Sequence, residues 1–309
     1  MFKSIKLASL TLIILVAGIG CTKDDVKLNQ TPKADAGPSK VVNLPGTVTL
    51  TGSGTDSDGT IVGYAWTQVS GPEASIIVNP GSASTVVKGF IAGDYIFQLQ
   101  VIDNGGLTGV DTVAVKVNAP VAQTLTSQPA NNPNERMLVT IGGVDYSGTN
   151  SELVIDAWTV SGSPYFGRAA IKFDLSSIPS TATITSANLF LYSNTPPENG
   201  NLVDANFGTN NSLWLQRITG PWTPATTNWS NQPTVTTTDQ ISIPSTTQSS
   251  LDLNIDVKTL VSSMVNTNTN YGFMLKLQNE VTYTSRMFVA SYHATKADKR
   301  PKLVVTYTN

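Results

Sequence analysis

The chain is poor in the residues from which most enzymes assemble their chemistry. Its 309 residues include one cysteine and one histidine, and Asp, Glu, Lys and Arg together make up 13%. With Cys21 taken up by the N-terminal processing described below, no disulfide can form within the mature chain, so stability must come from packing. A single histidine, His293, rules out histidine-rich zinc spacings, and a Ser-His-Asp arrangement would have to use it. There is no G-x-S-x-G elbow and no phosphate-cradling glycine loop. A net charge of −2 makes no electrostatic case for nucleic acid, which asks for a basic patch or stripe. A carboxylate pair for glycoside cleavage stays open, because the separation that matters there is spatial. Beyond the first twenty residues no stretch is apolar enough to span a bilayer, so no transmembrane helix is expected in the mature chain.

What is present begins with a targeting segment. Lys3 and Lys6 precede the apolar run Leu7 to Ile19, which marks residues 1–20 as a signal peptide. The run ends at Cys21, better explained as a lipid attachment site than as a structural thiol. The preceding A-G-I-G is a weak lipobox, with Gly18 where Leu is usual, and ordinary secretory cleavage is the alternative. Lys23, Asp24 and Asp25 follow. They resemble the export signal of Bacteroidetes-type surface lipoproteins, in which Lys and two acids beside the lipidated Cys direct the protein to the cell surface. The resemblance implies a protein lipid-anchored in the outer membrane and facing the exterior, with residues 21–40 as a polar tether carrying two prolines.

From residue 41 the pattern is that of strands. Val48 and Leu50 alternate with threonines, Tyr95, Phe97, Leu99 and Val101 alternate strictly, and Val113, Val115 and Val117 share a face. Turns at T-D-S-D-G and D-N-G-G punctuate them, so residues 41–118 read as an immunoglobulin-like β-sandwich. D-S-D-G-x-I-x-x-Y-x-W from Asp56 to Trp66, with V-I-D-N-G-G-L, resembles PKD-type domains, which act as spacers in bacterial surface proteins. The chain departs from the commoner W-x-F-G-D-G continuation, having W-T-Q-V-S-G-P. Trp66 is expected in the core. Asp56, Asp58 and Asp103 have the oxygen chemistry for calcium, although Asx-turns explain them equally well.

Residues 119–133 carry three prolines and no apolar period, and read as a linker. Residues 134–309 read as a second β domain. Strands are expected around Met137 to Ile141 and Glu152 to Trp158. Ala169, Ile171 and Phe173, then Ala187, Leu189 and Leu191, each alternate with a second set of residues. Val257, Leu260, Val261, Met264 and Val265 fall on one helical stripe, with Asp256 placed to cap it. The predicted architecture is all-β, an Ig-like sandwich followed by a jelly-roll-like sandwich with one short helix. F-D-L-S-S-I-P leading to S-A-x-L-x-L-Y, W-T-P-A-T-T-N-W-S-N-Q-P and R-P-K-L-V-V-T-Y resemble the DNRLRE-type domain, grouped with carbohydrate-binding module family 96.

That resemblance implies non-catalytic polysaccharide binding, with an acidic polysaccharide as one ligand it allows. Sugar rings stack on aromatic faces and their hydroxyls need fixed polar partners. The aromatic platforms are Trp158, Tyr165, Trp214, Trp222 and Trp229, with ordinary packing as the alternative for each. Arg168, Lys172, Arg217, Lys276 and Arg286 are the cations that would meet an acidic chain, and Arg168 would serve equally in a salt bridge with Asp174 or another acid. Trp222 and Trp229 belong to the fold motif. Trp214, Phe190 and Tyr192 stand out of register with the core leucines. The competing class is a structural or adhesive surface protein, and a close carboxylate pair in a cleft would revive an enzyme.

Overall fold

A computed structural model describes residues 27–309, so the expectations for the signal peptide, Cys21, Lys23, Asp24 and Asp25 fall outside the described residues. The described chain divides into two compact units, the first formed by residues up to 117 and the second by 118–309, with 43–46 grouped with the second.

In the first unit, a four-stranded sheet runs in the order Lys40–Asn43, Thr108–Asn118, Gly93–Asp103, Ile61–Ser70. A three-stranded sheet is formed by Val48–Thr51, Ser84–Lys88 and Ile76–Ile77. The alternating positions Tyr95, Phe97, Leu99, Val101, Val113, Val115 and Val117 are buried between them, as strand periodicity requires. Trp66 is 2% exposed, and its indole N–H donates to the Ser82 carbonyl at 3.1 Å, so a buried polar group is satisfied. The unit begins earlier than residue 41, since Lys33–Asp35 pairs with Ser53–Thr55.

The second unit is a sandwich of one nine-stranded and one four-stranded sheet. The central run of the large sheet is Thr284–Val289, Glu152–Val160, Ser163–Ile171, Phe273–Leu277, Leu213–Arg217, with Glu135–Ile141 also pairing with Ser163–Ile171. The smaller sheet orders Ala122–Ser127, Lys302–Thr308, Thr183–Leu191, Leu253–Asp256. Ala169, Ile171, Phe173, Ala187, Leu189 and Leu191 all enter one continuous core. The C-terminal strand has a neighbour on both sides and is interior to its sheet.

Two expectations are corrected. Part of the proposed linker, Ala122–Ser127, is a strand paired along its length with Lys302–Thr308. Its only aliphatic residue at a packing position, Leu125, touches the core, and Gln123 accepts from the Tyr307 hydroxyl at 3.0 Å. One apolar residue leaves no period to read. The helix Lys258–Asn266 forms as expected and buries Leu260, Val261, Met264 and Val265, but its first residue is preceded by Val257. Asp256 still serves the exposed end, accepting from the Lys258 amide at 2.9 Å.

Candidate functional site

Strand register sorts the candidate residues. Trp214 lies directly opposite Lys276. On the next strand Ala169 and Ala170 pair with Leu275 and Met274, which brings Arg168 alongside Lys276 on the face away from the main core. A small apolar cluster of Leu138, Ala170, Ile218 and Met274 underlies that face, with Trp222 and Trp229 packed on it. Burial and the neighbouring Arg168 cation hold the Lys276 ammonium below its ordinary value, and Glu280 works in the opposite sense. Arg168 is committed: its Nε donates to Glu280 at 2.7 Å, its Nη1 donates to Gln232 at 3.0 Å, and it lies 4.5 Å over the Trp229 ring. The acid it pairs with is Glu280, from a neighbouring loop, and not Asp174, whose carboxylate accepts from the Ser176 amide. Trp222 donates its indole N–H to the Tyr271 carbonyl at 2.7 Å, consistent with a structural role.

Three of the proposed cations lie elsewhere. Arg217 ends its strand opposite Phe273, in the alternating set of Leu213 and Leu215 and not in that of Trp214. Lys172 lies one residue past its strand and lines a separate cavity with Asp174 and Asn270. Arg286 is fully buried, opposite Ile155, which removes it from any ligand arriving from solution. Its Nη1 makes long contacts of 3.4 and 3.3 Å to the Asn211 and Pro244 carbonyls, while Nε and Nη2 have no partner. Burial lowers its pKa to about 10.

The other grouping forms a concavity. Trp158 and Tyr165 are cross-strand partners, and Asp156 lies opposite Gly167 two residues along the same face. Alternation adds Glu152 to that face, so a row of side chains runs from buried carboxylates to a half-open aromatic end. Glu198, Asn199, Gly200 and Leu202 border the other side and close a cavity of about 310 Å³. Trp158 is held edge-on by Phe207 and Tyr283, with ring centroids 5.6 and 5.0 Å away. No lysine or arginine lines the cavity among the described residues.

Glu152 anchors the bordering loop. It accepts from Asn194 at 2.9 Å, from Asn199 at 2.8 Å and from the Glu198 amide at 3.3 Å. Burial raises its pKa, and these donors partly offset the rise. Asp156 is 2% exposed and its Oδ1 has no partner. Burial, reinforced by Glu152, pushes its carboxyl well above the usual range, and burial followed by the two carboxylates raises the Tyr165 phenol. At the rim, Glu198 accepts from Ser151 and lies 3.5 Å from His293 Nε2. His293 Nδ1 accepts from the Thr295 amide at 3.3 Å, so its Nε2 carries the hydrogen facing Glu198. Composition gave no sign of Asp156 and Glu152. The signal that points to them is two acids four apart within the apolar strand E-L-V-I-D-A-W.

The three aspartates named for calcium differ in what their carboxylates meet. Asp103 accepts from the amides of Gly105 and Leu107, both at 2.8 Å, which is the Asx-turn reading. Asp58 accepts from the Gln30 amide, and the two Asp56 oxygens have no partner. No group of three or more Asp, Glu, His or Cys side chains is arranged to hold a metal among the described residues.

Residues 146–307 match carbohydrate-binding module family 96, more than half of the chain. The chain belongs to that family. Residues 36–117 match the K319L-like, PKD domain. Neither is a catalytic domain. The mouse dyslexia-associated protein KIAA0319-like protein is 31% identical over 134 residues, which is 42% of this chain and 13% of that protein. Human dyslexia-associated protein KIAA0319 is 40% identical over 90 residues, 29% of this chain and 8% of that protein. The chain thus covers only a small part of these relatives. Among solved structures, the PKD domain from KIAA 1837 protein is 34% identical with a TM-score of 0.27, covering 30% of this chain and 92% of that one. A structure described as showing promiscuous specificity of carbohydrate-binding modules from the β-sandwich superfamily covers 91% of this chain and 92% of its own, at 14% identity and a TM-score of 0.23. TM-scores this low leave the fold to be read from the strands themselves.

Proposed function

We propose that this family member binds a polysaccharide without cleaving it, at the cavity between Trp158, Tyr165 and the loop at Glu198. The observation that carries the reading is the pairing of a half-open indole and a phenol beside unspent polar groups in one concavity. That is the arrangement a sugar needs, with an apolar face to stack on and few, fixed hydrogen-bonding groups. Trp158 and Trp214 keep some exposure, which favours a ligand-binding surface over a purely structural or adhesive one, whereas Trp222 and Trp229 pack on the small apolar cluster. The Trp214, Lys276 and Arg168 face supports a second reading, contact with an acidic polysaccharide, since a partly dehydrated Lys276 gains most from an anionic partner.

In this reading the PKD-type domain is a spacer and the protein is lipid-anchored through Cys21 at the outer membrane, facing outward. The apolar run before Cys21 and the Lys-Asp-Asp after it support that placement. Among the described residues no helix is long and apolar enough to cross a membrane. A glycan array on the full chain, with and without calcium, tests the binding. Micromolar binding to one polysaccharide class, lost in folded Trp158→Ala, supports it. No binding to any glycan leaves a structural or adhesive protein. Loss of metabolic lipid labelling in Cys21→Ser tests the anchor.

A further inference from the structure

The cavity at Trp158 is acidic, whereas the sequence directed attention to cations and an acidic ligand. Asp156, Glu198 and, behind them, Glu152 converge on it, and no lysine or arginine lines it among the described residues. Asp156 faces Glu152 on its own strand, Tyr165 and Gly167 across one neighbouring strand, Ser285 across the other, and Glu198 from the loop. His293 lies behind Glu198, and Arg286 alternates to the far side of its strand. The carboxyl of Asp156 hangs over Gly167, where an added Cβ would meet Asp156 Oδ1 at 2.7 Å. Its Oδ1 is buried with no hydrogen-bond partner, while the residue itself lines the cavity.

A buried, unpartnered carboxyl oxygen is costly unless the bound state supplies a donor. The donor that suits several converging carboxyls is a cation. The half-open ring of Trp158 beside them suits both the face of a sugar and a positive charge. We propose that this cavity selects amino sugars, placing the ammonium group of a 2-amino-2-deoxy residue between Asp156 and Glu198 with the sugar ring on Trp158. The inference rests on the glycan-binding reading and gives it a substrate class. A uronate would meet like charge here and belongs, if anywhere, to the Lys276 face. An N-acetylated sugar offers an amide in place of the ammonium and leaves the acidic site uncompensated. Burial and Glu152 raise the proton affinity of Asp156, and an ammonium placed beside it acts in the opposite sense, so binding favours loss of a proton from this carboxyl.

Calorimetry of the full chain with a fully de-N-acetylated glucosamine hexamer, its N-acetylated counterpart and a hexa-uronate tests this. The expected result is at least about tenfold tighter binding of the amine form, near pH 6, with a buffer-dependent heat that reports proton release. Asp156→Asn should abolish that preference and the proton release. Should Asp156→Asn fail to fold, Glu198→Gln at the exposed rim should narrow the preference. Equal or tighter binding of the N-acetylated or uronate hexamer overturns the amino-sugar inference and keeps glycan binding. Binding of no hexamer overturns the inference, and an array negative for all glycans overturns the glycan reading with it.

Discussion

Trp158 and Tyr165 face each other across two antiparallel strands, and both project on the same face as the buried Asp156. The hairpin joining these strands turns through Ser161 and Gly162, both at positive φ, which fits the twist of a tight hairpin and fixes the register. Register therefore decides whether this cavity exists. A one-residue slip would turn the indole, the phenol and the carboxyl to the opposite face and dismantle the cavity.

Trp158→Ala removes the stacking face along with its contacts to Phe207 and Tyr283. A central aromatic anchor is worth about 2 kcal/mol or more in binding, so glycan affinity should fall roughly thirtyfold or further. Calorimetry against whichever glycan the array identifies checks this. Retained affinity with an intact fold would move the site away from the cavity.

Gly167→Ala tests why the strand position opposite Asp156 lacks a side chain. Its Cβ would come within 2.6 Å of the Val154 carbonyl oxygen and 2.7 Å of Asp156 Oδ1. A backbone oxygen in a central strand cannot give way cheaply, so the expected loss is about 1–3 kcal/mol. Urea unfolding measures it, and glycan affinity should drop with it because Asp156 is displaced.

Arg286→Met should leave stability unchanged or raise it by about 1 kcal/mol, a rare direction for a core substitution. The buried guanidinium has two nitrogens without partners, and burial draws its pKa down to about 10. A flexible thioether of similar length fills the space without a charge to desolvate. Thermal unfolding reads the result, and a clear fall in Tm would mean that the guanidinium has a partner in solution.

The core was legible because alternation survives in the sequence: Ala169, Ile171, Leu189 and Leu191 are each fully buried where period two puts them. Trp214 stands out of that set and does project to the other face, opposite Lys276. The cavity was not legible as an acidic site. In Glu152–Val160 the residues Leu153, Ile155 and Ala157 are buried on one face while Glu152, Val154 and Asp156 are buried on the other, so no polar face marks the acids as special. Trp158 and Tyr165 could be nominated one by one, but that they pair, and that Glu198 joins them from a distant loop, is decided by three-dimensional register alone.

Glu135→Gln isolates a second buried carboxyl, away from the cavity. Glu135 is 3% exposed and accepts from the Ser291 amide and hydroxyl, yet burial outweighs these bonds and lifts its pKa from 4.5 to about 7. A pKa raised in the folded state means that the unfolded chain gives up its proton first as pH rises. The associated stability is whole below about pH 4.5, declines as pH climbs, and is lost once pH passes about 7. The raised pKa corresponds to about 3 kcal/mol across that window. Gln keeps an acceptor for Ser291 and cannot ionise. The variant should therefore match the parent near pH 4.5, exceed it at pH 8, and show a flatter profile between. Urea unfolding at several pH values checks this, and parallel profiles for the two proteins would mean that Glu135 is solvated or paired in a way that leaves its proton affinity ordinary.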